Sequence, residues 1–371
     1  MTIGKLKLDY PEWMPQDRPL LISGPCSAET EEQVLATAHG LKKAGNVDIF
    51  RAGIWKPRTR PNTFAGVGVV GLKWLQRVKK ETGFLTAVEI ANANHAYEAL
   101  KHGIDVLWIG ARTTVSPFAV QEIADALKGA DIPVMVKNPI NPDLQLWIGA
   151  LERLNQAGIT RLAAIHRGFS TTVTVPYRNQ PKWRIPIELK RLIPEIPLIC
   201  DPSHIAGKRE LLEPVSQKAL DLAMQGLMIE THPDPANALS DSAQQITPAE
   251  LPKLIGSLTY RKPSGDSSAK ANMLEVLRGE IDNLDQQLLE VLARRCQIST
   301  RIGEYKNNNN MTIFQVRRWE KVMENRIDDA TGMGLSDKFV NEIFQAIHHH
   351  SIELQEKVMN LAKDGKSITS D

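Results

Sequence analysis

The sequence predicts a closed parallel (β/α)8 barrel followed by an all-helical domain. Three observations predict it. Eight short apolar runs alternate with amphipathic helical patterns over the first 260 or so residues, the pattern of repeated βα units. All 22 prolines lie at or before Pro263, and the 108 residues after it have none. Beyond that point a long apolar periodicity in steps of three and four takes over.

The runs are LLISGPC (20–26), VDIFRAG (47–53), FLTAVEI (84–90), VLWIG (106–110), IPVMVKN (132–138), RLAAIHR (161–167), IPLICDPS (196–203) and GLMIETH (226–232). Segments such as EEQVLATAHGLKKAG and SPFAVQEIADALKGA between them read as helices that cover the sheet. Eight such units favour a barrel over an open sheet, and no glycine-rich dinucleotide fingerprint follows the first run. The barrel is expected over 1–262. PSGDSSAKAN (263–272) reads as a linker, and the helical domain as 273–371.

Composition narrows the class. The 371 residues are 42% hydrophobic and 24% charged with net charge +2, which gives no bulk attraction for nucleic acid or membrane. The N-terminus, MTIGKLKLDYPEW, lacks a signal-peptide core, and no stretch approaches a membrane span. Cys26, Cys200 and Cys296 are far apart and odd in number, which points to a reducing cytoplasm. The first strand falls within about 20 residues of the N-terminus, so no regulatory domain is expected ahead of it.

Polar residues gather at the C-terminal ends of the runs: Cys26, Arg51, Glu89, Arg112, Lys137, His166 with Arg167, His204 and Glu230. In a barrel these ends meet at one mouth, where the active site of this fold lies. Arg51, Lys56, Arg58, Arg112, Lys137 and Arg167 together suit a small, multiply charged anion. Cys26, His204, Glu230 and Asp241 form a mixed sulfur, nitrogen and oxygen set able to bind a divalent transition ion. Spacing leaves the alternative open that Cys26 is core and that Asp241 caps a helix beginning near Ser242.

GPCS (24–27), RAGIWKPRTRPNTF (51–64), IGARTT (109–114), VKNP (136–139), HRGF (166–169), DPSH (201–204) and IETHPDPANALSD (229–241) resemble the 3-deoxy-D-arabino-heptulosonate 7-phosphate synthases, in their short-barrel branch. The resemblance spans about 15–258. KPRT (56–59) sets it apart from the related octulosonate enzymes, which carry a KANRS-type segment there. It implies that Cys26, His204, Glu230 and Asp241 bind a divalent metal such as Mn2+. It also implies that Arg112 and Arg167, with Arg51, Lys56 and Lys137, hold phosphoenolpyruvate. Arg58 and Thr59 would hold erythrose 4-phosphate, with Glu89 close to Arg112. Lys56 or Lys137 would relay a proton if burial among cations lowered its pKa.

In the helical region, Leu274, Leu277, Ile281, Leu284, Leu288, Val291, Ile298 and Ile302 form a heptad-like seam over about 35 residues, roughly 50 Å of helix. Arg295 occupies a seam position, either solvated or buried against an anion. NNNN (307–310) interrupts the helix; a second is expected from about Thr312 and a third over 336–361. The HHH run at 348–350 falls inside the third and reads as neither tag nor metal site. LRGEIDNLDQQLLEVLARRCQISTRIGEYK (277–306) resembles the first helix of the all-helical chorismate mutases, and the likeness runs over about 271–362.

That second resemblance implies that Arg278, Arg295, Lys306, Arg318, Ser351 and Gln355 line a chorismate site, with Lys306 and Gln355 on the ether oxygen. Trp319 stands where the family usually has glutamate, and Gln315 replaces a frequent aspartate. Arg278 and Arg295 are 17 residues apart, about 26 Å along one helix. One small dicarboxylate cannot span that, so an intertwined homodimer is expected, with one arginine from each protomer. The other reading of the tail is a prephenate- or chorismate-sensing and dimerising module serving the barrel.

Overall fold

The structure, a computed structural model, describes residues 6–9, 14–15, 17–57, 63–171, 176–261 and 268–363. The chain divides into two compact units, residues 1–263 and 264–371.

The first unit is the expected barrel. Its strands are β1 (Leu20–Gly24), β2 (Ile49–Ala52), β3 (Leu85–Ile90), β4 (Val106–Ile109), β5 (Val134–Lys137), β6 (Leu162–His166), β7 (Leu198–Cys200) and β8 (Gly226–Glu230). All are parallel and pair in sequence order, and β8 returns to β1 with Leu20 beside Gly226 and Gly24 beside Glu230. Local chemistry fixes the helices between them. Thr30 caps helix Glu31–Ala44 by accepting from the Gln33 amide, with Glu31 and Glu32 in its first turn and Lys42 and Lys43 in its last. Each charge opposes the helix dipole at its own end. Asp143 caps Leu144–Gln156 in the same way.

The period of two along each strand separates two cores. Outward residues such as Phe50, Leu107, Val136 and Leu227 pack under the helices. Inward residues Leu20, Ile22, Ile49, Ala87, Val106, Trp108, Met135, Ala163, Ile165, Ile199 and Met228 fill the barrel. Each large apolar side chain among them contributes about 1.5–3 kcal/mol on burial, which keeps the interior a plug and not a pore. Continuing the inward parity by one step gives Arg51, Glu89, Lys137, Arg167, Asp201 and Glu230, the polar tier above that plug.

The second unit comprises helices Ser268–Asn308, Val316–Thr331 and Asp337–Lys363. The first begins at Ser268, inside the segment expected to be a linker, and residues 262–267 lie outside the described residues. The second helix starts four residues later than expected. Gln315 before it is extended, and Lys306 Nζ donates to the Ile313 carbonyl, which holds the preceding turn out of the helix. A Cβ on Gly303 would sit 3.0 Å from Gln355 Cα, so the first and third helices approach closely there. Leu274, Leu277, Ile281, Leu284, Leu288, Val291, Ile298 and Ile302 are all exposed in the protomer. Among the described residues, no helix is long and apolar enough to cross a membrane.

Candidate active site

The barrel mouth joins a cluster of candidate ion ligands to a cationic cleft. Cys26 continues the inward parity of β1, Glu230 ends β8, His204 sits in the short helix Pro202–Ala206 after β7, and Asp241 lies in the loop beyond β8. Donor atoms of Cys26, Glu230 and Asp241 lie within 4.8 Å of one another. His204 Nε2 is 3.7 Å from Glu230 Oε1 and 3.8 Å from Asp241 Oδ2. The four residues expected to hold a metal thus converge, although 215 positions separate the first from the last.

Asp241 caps no helix. It adopts φ +50°, the left-handed region that few side chains occupy, and the residues after it form turns. Arg178 Nη1 pairs with Asp241 Oδ1 at 2.9 Å, while Asp241 Oδ2 faces Cys26 Sγ at 3.4 Å. Glu230 Oε2 accepts from Gln244 at 2.7 Å. The other oxygen, Glu230 Oε1, is buried with no hydrogen-bond partner and lies 3.2 Å from Arg51 Nη1. A carboxylate oxygen that is ion-paired but free of hydrogen bonds, near an imidazole nitrogen and a thiol, fits a divalent transition ion. Burial and then the Glu230 charge push the Cys26 thiol up to about 12, so it would ionise only with a cation beside it.

Beside this cluster, Lys56, Glu89, Arg112, Lys137, Arg167 and Arg178 line one cleft together with His204 and Asp241. Arg167 is buried, and burial followed by the Arg178 and Arg112 charges pushes its guanidinium down to about 10. Crowded cations of this kind are stable only against anions. Arg51 and Lys137 stand over the Trp108 ring, at 4.9 and 5.9 Å from its centre. Glu89 reaches so far toward the next turn that a Cβ on Gly110 would lie 1.9 Å from its Oε1, which places it two residues from Arg112. Arg58 and Thr59 lie outside the described residues.

Three expectations are corrected. Lys56 is not lowered by its surroundings. Burial disfavours its charge, but Cys26, Glu89 and Glu230 outweigh burial and raise its pKa; Nζ lies 3.1 Å from Cys26 Sγ. His166 does not face the mouth. It has outward parity and is packed among Trp147, Phe169 and Trp183. Asp201, absent from the expected set, is fully buried between Lys137 and His204. Parity alone, two residues beyond inward Ile199, selects Asp201, just as it rejects His166. Arg178, Gln244 and Asn179 are also absent from the expected set. They sit on loops, where no periodicity marks them, and Asn179 accepts from Arg167 at 2.6 Å.

In the helical unit, Arg295 donates to Ser351 Oγ, and Gln355 Nε2 bonds the Ser351 carbonyl at 3.2 Å. Arg278 is exposed and pairs with Glu275 on its own turn, while Arg318 is exposed beside Trp319. Trp319 stacks on His348 with rings 3.8 Å apart. Of the three consecutive histidines, His349 and His350 reach Glu353 at the surface. His348 shares the face of Ser351 and Gln355, a spacing that would have revealed it. Gln355 Oε1 and His348 Nε2 are buried without partners.

The model of the DAHP synthetase I family matches residues 13–259, and that of Chorismate mutase type II matches 277–356. A phospho-2-dehydro-3-deoxyheptonate aldolase of Thermotoga maritima is 30% identical over 226 residues, 61% of this chain and 64% of that relative's length. A 2-dehydro-3-deoxyphosphooctonate aldolase of Nitratidesulfovibrio vulgaris is 25% identical over 65% of this chain and 91% of its own. The crystal structure of the Thermotoga maritima enzyme superposes with TM-score 0.58 at 28% identity, covering 66% of this chain and 69% of that one.

Proposed function

The chain belongs to the DAHP synthetase I family, and on that premise we propose that its barrel condenses phosphoenolpyruvate with erythrose 4-phosphate and releases phosphate. The helical unit, in the same reading, rearranges chorismate to prephenate. The observation that carries the first part is the meeting of Cys26, His204, Glu230 and Asp241 beside a cleft rich in lysine and arginine.

Arg112, Arg167 and Lys137 bind the phosphate and carboxylate of phosphoenolpyruvate, with Arg51 beneath them, and Arg58 and Thr59 bind the aldose phosphate. Fixed cations hold two mutually repelling esters in line, so most of the barrier is lowered by positioning and preorganised charge. The enol carbon then attacks the aldehyde carbon, water adds at C2, and phosphate leaves by C–O cleavage. Lys56, held charged by Cys26, Glu89 and Glu230, serves as a binding group, which leaves Lys137 to carry the proton. A divalent ion such as Mn2+ on Cys26, His204, Glu230 and Asp241 supplies Lewis acidity toward a carbonyl oxygen.

In the helical unit, Arg295, Arg318 and Ser351 hold carboxylates while Lys306 and Gln355 stabilise the ether oxygen as it gains charge. Arg278 comes from a second protomer, because on its own helix it lies too far from Arg295. The exposed seam from Leu274 to Ile302 supports that dimer. It also favours a second reading, in which the tail mainly dimerises and senses prephenate or chorismate. A reducing cytosol suits the three free cysteines.

One sample tests both activities. Phosphate release from the two precursors and disappearance of chorismate are followed with and without chelator. Chelator should abolish the first, by at least about a thousandfold if Lewis acidity carries the step, and leave the second unchanged. Phosphate release that survives full metal removal refutes the ion's role; chorismate that persists leaves the tail as the sensing module.

A further inference from the structure

The candidate metal-ligand cluster and the anion cleft adjoin and share His204 and Asp241, and one fully buried carboxylate outside the ligand set touches both His204 and Lys137. Asp201 follows β7 by one residue, has no solvent exposure, and is anchored by its amide, which donates to the His166 carbonyl at 2.8 Å. Its Oδ1 accepts from the His204 amide at 3.0 Å and so caps the short helix that carries that histidine. Its Oδ2 lies 2.6 Å from Lys137 Nζ and 2.8 Å from His204 Nδ1.

We propose that Asp201 is a positioning residue that couples the two halves of the site: it fixes His204 as the Nδ1–H tautomer, leaving Nε2 for the cation, and aims Lys137 into the anion cleft. The inference rests on the metal site proposed above. The geometry leaves one sensible tautomer. Nδ1 lies 2.8 Å from Asp201 Oδ2, off the line of a hydrogen bond but beside its charge; a proton on Nδ1 is favoured there, whereas a proton on Nε2 would set the Nδ1 lone pair beside that carboxylate. Nε2 itself lies 3.7 and 3.8 Å from the Glu230 and Asp241 oxygens, too far for a hydrogen bond and open toward the point the four ligands surround. Carboxylates behind metal-bound histidines act in this way in general. Here the carboxylate is shared with a lysine of the other half.

An asparagine in place of Asp201 would keep the volume but lose the charge, and its N–H must face either the His204 amide at the Oδ1 position or both Lys137 and His204 Nδ1 at the Oδ2 position. In the full chain, Asp201→Asn should weaken Mn2+ binding, measured by calorimetric titration, by about 10–100-fold. It should also raise KM for phosphoenolpyruvate by a larger factor than it lowers kcat at saturating Mn2+, a split that general loosening would not give. Long-range nitrogen–proton correlations on the metal-free wild type, with the His204 signal assigned through His204→Asn, should show the Nδ1–H tautomer. That reading stands even if Asp201→Asn does not fold. An Nε2–H tautomer, or Asp201→Asn binding Mn2+ within twofold of wild type, overturns the proposal and spares the metal site. A wild type that binds no Mn2+ removes the site and the proposal together.

Discussion

The two units differ in how completely they bury what their sequences supply. In the barrel, the inward faces of eight strands close on themselves, and Leu20, Ile22, Ile49, Trp108, Met135 and Ile199 have no solvent exposure. In the helical unit, Leu284 is 62% exposed and Ile281 57%, although their periodicity is as regular as that of any barrel strand. A closed ring of strands completes its own core, whereas the three helices leave an apolar stripe exposed, which the proposed dimer would cover. The barrel therefore gathers its candidate site from one chain, whereas the site proposed in the tail draws on two.

Three measurements sharpen or break this contrast. The largest effect is expected inside the barrel. Arg51 and Glu230 form a buried pair, so Arg51→Met strands a carboxylate and should cost about 3–5 kcal/mol. The loss should show in the barrel's unfolding transition while tail helicity persists; a concerted loss of both would show that the units are not independent.

Next is Leu284→Asp on the exposed seam. Within one protomer this residue touches mostly solvent, so the protomer should keep its fold while sedimentation shows dimer turning to monomer. A shift of about 2–3 kcal/mol per protomer is expected from the lost apolar burial. A variant that sediments as wild type would mean that the stripe is covered by something other than a second copy.

The third effect is the smallest per pH unit and appears as a slope. Burial, and then the Arg167 charge, push His166 down to about 3. An unfolded histidine takes up its proton near pH 6.5, so below that pH the unfolded chain gains a proton the folded one refuses. This group's contribution to stability is therefore whole above pH 7 and falls as the pH drops from about 6.5 toward 3, by about 1.4 kcal/mol per pH unit at the steepest. His166→Phe should flatten the acid limb of the barrel's stability curve, and an unchanged limb would disprove the assignment.

The difference between the units also explains what the sequence made legible. Strand runs and their polar ends point to the mouth because a barrel gathers all its C-terminal strand ends. Convergence of Cys26 with Asp241 follows from topology, not from any local motif. Counting polar strand ends without parity takes in His166 and passes over Asp201. Loops carry no period, so Arg178 and Gln244 leave no trace, and nothing local distinguishes the left-handed turn at Asp241 from a helix cap. In the tail, the seam is plain, but the pairing of Trp319 with His348 depends on how two helices face each other.

Ser23 and Ile229, joined across the seam of β1 and β8, are 206 positions apart. On a ribosome adding roughly 5–20 residues per second, the first strand waits on the order of 10–40 seconds for its last neighbour. Cys26 is made early and Glu230 and Asp241 late, so no shorter nascent chain carries the full set of proposed ion ligands. Synthesis order thus sets when the mouth can form: the ring receives its final stave before the helical unit is made.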